Sequence, residues 1–248
     1  MKAMILAAGL GTRLRPLTDD RPKALVEING HTLLELTLTR LRGFGIYDVI
    51  INVHHFADRV IDYLKTQGNF GMRIAISRED VLLDTGGGLK KAAPFFLDDP
   101  SSADEPFILH NVDVLTDVDL ARMVASQKEN RALAALAVQD RKTSRYLLFD
   151  NSGNLCGRRA GNDGEPELVR PAQTFEAFAF SGIHIISKRI LKMLSEEGAF
   201  SIITSYLRLA AQGERIHAFR ADDYYWRDLG KPENIKQASD DLKNKIVN

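Results

Sequence analysis

The chain has 248 residues, with 33 Lys and Arg against 33 Asp and Glu, enough length to bury a full core in one large domain or two small ones. Zero net charge argues against a general nucleic-acid binder, which carries a basic surplus. A single cysteine, Cys156, excludes an intrachain disulfide and fits a reducing compartment.

The apolar run at residues 3–8 is too short for a signal-peptide core. No stretch approaches the roughly 20 apolar residues of a membrane span. The expected setting is the cytoplasm, with no membrane partner. Cys156 sits among Gly153, Gly157, Arg158 and Arg159 and reads as an ordinary thiol rather than a nucleophile.

In chain order, Met4-Ile5-Leu6 reads as a short strand. Leu33, Leu34, Leu38 and Leu41 lie at helical spacing, with Thr32 as cap and Glu35 in the first turn. Gly43 and Gly45 break that pattern. Residues 49–53 read as a buried strand, 56–64 as a helix stopped near Gly68, and 72–76 as a strand. Residues 86–93 open a helix at a run of three glycines, and Pro94 ends it. Residues 107–109 form a strand closed by the polar group His110-Asn111-Val112-Asp113. A helix over 120–127 and a strand over 132–138 follow.

In the second half, Tyr146 to Phe149, the turn Asp150-Asn151-Ser152-Gly153, and Leu155 read as a hairpin. Residues 158–167 read as a loop and 175–186 as a long strand. Residues 190–194 and 202–211 are helical, and 216–219 and 224–226 strand-like. A closing helix spans 232–245, with Ile235, Ala238 and Leu242 on one face. Strands alternating with helices predict an α/β class: a Rossmann-like, mostly parallel sheet with helices on both faces. The expectation is one domain over residues 1–248, with a β-rich insertion around 140–180.

The stretch LAAGLGTRLRPLTDDRPK, residues 6–23, follows the first strand directly. Ligands of such sheets bind at the carboxyl ends of strands, and glycines let backbone N–H groups approach anionic oxygens. A dinucleotide fingerprint needs a third glycine where Leu14 stands, and Pro16 and Pro22 favour an extended loop over a helix start. The Walker pattern is absent. Two readings stay open on the residues alone: a triphosphate loop using Gly9, Gly11, Arg13 and Lys23, and a solvated basic turn.

The whole stretch closely resembles the signature of the sugar-phosphate nucleotidylyltransferases, or NDP-sugar pyrophosphorylases. That signature is Leu-Ala-Ala-Gly-x-Gly-Thr-Arg-Leu-x-Pro-Leu-Thr followed by Pro-Lys, and every part is present. The resemblance implies that Leu6, Ala7, Ala8, Gly9, Gly11 and Thr12 wrap a nucleoside triphosphate. Arg13 would stabilise charge on departing pyrophosphate, and Lys23 would reach the phosphates around the reacting α-phosphorus. Fixed cations are needed there because attack of one phosphate on another brings anions together.

The resemblance extends to about Ile235. It implies that LLDTGGGLKKA, residues 82–92, lies against the base, with Asp84, Gly86 and Gly87 as binding residues. The Thr-Gly-Gly-Gly form is most similar to uridylyltransferases acting on N-acetylmuramate 1-phosphate, which usually carry Glu in place of Asp84. In HNVDVL, residues 110–115, it implies Asn111 at the nucleotide and Asp113 on Mg²⁺, with Val112 replacing the usual glycine. His110 reads as a packing residue. YWRDLGKPENI, residues 225–235, resembles the family's Trp-x-Asp-x-Gly-Thr-Pro segment, with Lys231 for threonine, and implies Asp228 as the second metal carboxylate.

On the acceptor side, Val169-Arg170-Pro171 stands where many hexose-1-phosphate members carry Glu-Lys-Pro. Arg170 would hold the sugar phosphate, and Gly182 would pack under the sugar. Val169 cannot grip hydroxyls as glutamate does, which argues against a glucose- or mannose-type acceptor. The implied substrates are UTP and N-acetylmuramate 1-phosphate, with Mg²⁺ as cofactor. Open alternatives are guanylyl transfer to mannose 1-phosphate or another hexose or heptose phosphate, cytidylyl transfer to an alcohol phosphate, and an idle nucleotide-binding regulatory protein. No long extension follows the closing helix, so a single activity is expected. No feature of the sequence sets an oligomeric state.

Overall fold

The apolar runs at residues 2–6, 48–53 and 107–111 are buried almost throughout, and they lie side by side. The computed structural model describes residues 1–98 and 105–244. β1 (Lys2–Leu6) leads through the glycine-rich loop into a ribbon, β2 (Glu27–Ile28) and β3 (His31–Thr32), and then α1 (Leu33–Gly43). β4 (Asp48–Val53), α2 (Ala57–Thr66), β5 (Arg73–Arg78) and α3 (Asp84–Leu97) follow. Next come β6 (Phe107–Asn111), β7 (Val114–Thr116), α4 (Leu120–Glu129), β8 (Ala134–Gln139), β9 (Arg145–Asp150) and β10 (Leu155–Ala160). The remainder holds β11 (Glu167–Leu168), β12 (Phe175–Ile186), α5 (Ile202–Ala211), β13 (Ile216–Arg220), β14 (Trp226–Asp228) and α6 (Pro232–Lys243).

β5, β4, β1 and β6 pair in parallel. β12 runs antiparallel to β6, and its N-terminal half pairs with β9, which continues the sheet through β10 to β11. On its other edge β12 meets β8, which pairs in parallel with β13. The class is the expected α/β one. The β-rich segment between residues 145 and 168 extends the main sheet as its antiparallel wing.

Side chains alternate across the strands, and both faces are covered. Ala3, Ile5 and Ile108 enter a core layer with Leu34, Leu38 and Leu41 of α1, Val60 of α2 and Met123 of α4. Met4, Phe107 and Leu109 enter the opposite layer with Leu89 and Phe96 of α3 and Tyr206 and Leu209 of α5. This period of two, buried on each side, is what a helix-covered parallel sheet requires. Thr32 caps α1 through its side chain, which accepts from Glu35 N at 3.0 Å, a contact worth about 1 kcal/mol.

Several boundaries differ from expectation. α3 begins before its glycines and continues through Pro94 to Leu97. A Cβ on Gly86 would stand 2.3 Å from Phe200 Cε2, and one on Gly88 2.8 Å from Glu79 Oε1. These glycines therefore sit inside the helix because neighbours crowd it, and tertiary packing overrides their poor helix propensity. Residues 158–160 extend β10, and β11 pairs with Gly157 and Arg158, so the expected loop is half strand. The helical pattern near residue 190 is a 3-10 turn at Lys188–Lys192. The strand expected at 224–226 lies two residues later, as β14. The last position expected in the closing helix, Lys245, lies outside the described residues. Cys156 is buried, and burial pushes its thiol up to about 11, which leaves it unreactive. Among the described residues no helix is long and apolar enough to cross a membrane.

His184 on β12 is fully enclosed, with Nδ1 2.9 Å from the Tyr206 hydroxyl. Burial holds its imidazole down to about 3. An unfolded histidine titrates near 6.5, so the unfolded chain takes up the proton first. The contribution of His184 is complete above about pH 6.5 and is lost as pH falls toward 3, by up to about 1.4 kcal/mol per pH unit. Urea denaturation between about pH 7 and 5 should show a falling midpoint. His184→Gln should flatten that trend.

Candidate active site

Parallel pairing sets Leu6 beside Asn111 at the carboxyl ends of β1 and β6, and Val112 N donates to Leu6 O at 3.2 Å. The two segments that leave these strands therefore emerge together. They wall a cleft of about 360 Å³, with Leu6, Ala7, Ala8 and Gly9 on one side and Asn111 and Asp113 on the other. At Gly9 the space where a Cβ would stand is open.

The loop beyond is more ordered than its prolines suggest. Gly11, at φ +66°, precedes a 3-10 turn at Thr12–Leu14, and a Cβ there would lie 2.9 Å from Thr18 Cγ2. The Thr18 hydroxyl donates to Gly11 O at 2.9 Å. Pro22, extended at φ −69°, leads into a second turn at Lys23–Leu25, which delivers Lys23 to the cleft.

Charges alternate at this mouth. Lys23 Nζ pairs with the Asp113 carboxylate, and their side chains are only 11% and 18% exposed. The β7–β14 ribbon places Asp228 opposite Val114, and Leu229 N donates to Asp113 O at 2.7 Å. Asp113, in the turn just before β7, and Asp228, on β14, thus meet although far apart in sequence. Arg13 Nη1 stands 3.9 Å from Asp228 Oδ2. Gly230 makes room for this pair, since a Cβ there would be 2.6 Å from Arg13 Nη2. Gly230 N donates to Asp228 Oδ1 at 2.9 Å, which fixes the carboxylate.

Among the described residues no three His, Cys, Asp or Glu side chains group as a metal cage. A carboxylate in the β6–β7 turn and one on β14 still suit a hard divalent cation, provided ligand oxygens and water complete the shell. His110 is buried beneath them, its Nδ1 2.8 Å from Asn111 O. Burial pushes its imidazole down to about 4, so it stays neutral as a packing residue.

Asp84 and Thr85 line the far wall of the cleft. Gly86 and Gly87 do not present free amides there. Both N–H groups donate to Phe200 O, at 2.8 and 3.3 Å, and a Cβ on Gly87 would lie 2.5 Å from Gly198 O. These contacts pack α3 closely at both glycines. Sequence reasoning missed Asn52 and Glu79, which join the two loops. Ala7 N donates to Asn52 Oδ1 at 2.8 Å, Asn52 Nδ2 donates to Glu79 Oε1 at 2.7 Å, and Leu83 N donates to Glu79 Oε2 at 2.9 Å. The one available signal was an asparagine inside an otherwise apolar strand.

Gly182 lies at the mouth of the site. Its φ is +78°, it sits where the β12–β8 register shifts, and a Cβ would stand 2.9 Å from Asn111 Nδ2. Arg170 does not join it. Val169 N and Arg170 N both point to Cys156 O, which ties this segment to β10. The Arg170 guanidinium is 3.8 Å from Asp150 and lines a separate pocket of about 420 Å³ with Asn154 and Arg215. Asp150 pairs with Phe175, the first residue of β12, while Gly182 lies well along the same strand, and strand geometry keeps the two apart.

Residues 2–245 match the model of the nucleotidyl transferase family. The chain is 41% identical over 245 residues to the N-acetylmuramate alpha-1-phosphate uridylyltransferase of Neisseria meningitidis serogroup B, covering 96% of each chain. It is 34% identical over 240 residues to the enzyme of the same name from Caulobacter vibrioides, covering 93% of this chain and 92% of that one. Among solved structures, HddC from Yersinia pseudotuberculosis superposes with a TM-score of 0.76 at 24% identity, covering 97% of this chain and 99% of that chain. This last likeness concerns the fold.

The Asn52 bridge can be broken on its own. Asn52→Ala leaves Ala7 N–H without its partner and one oxygen of the buried Glu79 carboxylate unsatisfied. Urea denaturation should show a loss of about 1–3 kcal/mol.

Proposed function

The chain belongs to the nucleotidyl transferase family, and on that premise we propose that it joins UTP to N-acetylmuramate 1-phosphate, yielding UDP-N-acetylmuramate and pyrophosphate. The observation that carries the reaction type is the convergence of Lys23, Arg13, Asp113 and Asp228 at the ends of β1 and β6. The choice of sugar and base rests on the two uridylyltransferase relatives. The reaction is a step in the reuse of cell-wall sugars and draws on the cytoplasmic nucleotide pool. The chain acts as one catalytic unit, with the β9–β11 wing on the acceptor side.

A sugar phosphate is already anionic near neutral pH. Its oxygen attacks the α-phosphorus in line, a new P–O bond forms, and the bond to pyrophosphate breaks. No general base is required, and no covalent enzyme intermediate forms. The backbone of residues 6–9 and Gly11 wraps the triphosphate. Lys23, beside Asp113, neutralises the α-phosphate. Arg13, on the exposed side of the cleft, takes the charge that grows on pyrophosphate. Asp113 and Asp228 would hold Mg²⁺, whose charge offsets repulsion between the phosphates when bound. Asp84 and Thr85 face the base. Gly182 lets the Asn111 side chain pack close, and the sugar lies beside Asn111.

The test is pyrophosphate release from the four nucleoside triphosphates, each with a panel of sugar and alcohol phosphates and Mg²⁺. UTP with N-acetylmuramate 1-phosphate should react fastest. Faster turnover with GTP and mannose 1-phosphate would move the assignment to guanylyl transfer, and silence with every pair would support a regulatory nucleotide binder. Asp113→Asn and Lys23→Ala should each lower kcat by about 100-fold or more. Circular dichroism should show the fold retained. Parental turnover in either variant would remove that residue from the reaction.

A further inference from the structure

Arg141 follows β8 and belongs to none of the motifs discussed above. Its guanidinium lies 3.7 Å from the centre of the Trp226 ring. Its Nη2 donates to Phe180 O at 2.7 Å. Trp226 Nε1 in turn donates to Ser181 O at 2.7 Å. Arg141 and Trp226 therefore bracket the strand immediately before Gly182, and Trp226 is two residues from Asp228. Asp228 is also the carboxylate whose field acts most strongly on Arg141.

The charge on Arg141 is poorly compensated. The residue is half-buried, Nε is enclosed without a partner, and among the described residues no carboxylate lies within 4 Å. By contrast, Arg170 and Arg227 each have one, at 3.8 and 2.7 Å. Taking a guanidinium out of water without a counter-ion is unfavourable, so such a group calls for an anion from outside the chain.

We infer that Arg141 binds the phosphate of the acceptor, the role that the sequence assigned to Arg170. The inference rests on the proposed reaction, because it places an anionic acceptor beside Asn111 and Gly182. Stacking on Trp226 and the bond to Phe180 O orient the guanidinium before the ligand arrives, which lowers the entropy cost of binding. Its unused N–H groups offer a fork suited to phosphate oxygens. Arg141 thus contacts both the strand that leads to Gly182 and the strand that carries Asp228.

Trp226 is the chain's single tryptophan and makes a direct reporter. Titration with N-acetylmuramate 1-phosphate should change its fluorescence, whereas N-acetylmuramate, which keeps the carboxylate but lacks the phosphate, should not. A response to both sugars would reassign Arg141 to the carboxylate and overturn the phosphate assignment. In steady-state kinetics, Arg141→Gln should raise KM for the sugar 1-phosphate by about 10–100-fold, as loss of a charge-assisted hydrogen bond implies. KM for UTP should stay within about twofold, which a general disturbance of the fold would not spare. If the glutamine variant does not fold, Arg141→Lys carries the test: a rise in acceptor KM alone supports the assignment, and an unchanged KM overturns it. A parent enzyme that releases no pyrophosphate with any acceptor overturns the transferase reading instead. An active parent whose variant keeps acceptor KM and fluorescence overturns only the place given to Arg141.

Discussion

The parallel pairing of β1 with β6 is the constraint on which the site depends. It sets Leu6 beside Asn111, so the glycine-rich loop and the Asp113 segment leave the sheet at the same point. Strand geometry allows little freedom here, because a slip of one residue would exchange the side chains of the two packed layers. The β7–β14 ribbon then adds Asp228, and the bond from Leu229 N to Asp113 O holds the two carboxylate segments together. Helices on both faces make the sheet rigid enough to keep these groups in place.

Electrostatics gives that geometry its chemical direction. Lys23 and Arg13 each face a carboxylate, Asp113 and Asp228. The mouth of the cleft is therefore near neutral without ligand, which avoids the cost of holding bare cations together. Polyanionic phosphates compete for the two cations, and a divalent ion would compete for the two carboxylates. The same four groups thus stabilise the free protein and suit the reactants. Arg141 differs from them in having no close counter-ion, and that difference marks the acceptor side.

Much of the fold was legible because the core pattern is local. The alternation of Ala3, Met4 and Ile5 between layers, the cap at Thr32, and the long apolar strand β12 follow from spacing and side-chain type. The misread parts share a cause. Gly86 to Gly88 look like the opening of a helix, yet α3 starts before them and holds them in its interior, where Phe200, Gly198 and Glu79 press against them. Residues 158–160 begin with two arginines in a polar stretch, yet β9 supplies a partner that makes them strand. Partners distant in the chain decided these positions.

For the site, the sequence by itself carried the family resemblance that implies the reaction type. The glycines, Arg13 and Lys23 lie within one short stretch, and the phosphate chemistry they serve depends on local spacing and charge. Tertiary structure alone decided which distant residues meet. It joined Asp113 to Asp228, linked Ala7 through Asn52 to Glu79, withdrew Arg170 toward the start of β12, and brought Arg141 beside Trp226. The physical reason is that these meetings depend on strand register and on which face each side chain takes. Those are properties of long-range pairing, and no short window of sequence contains them.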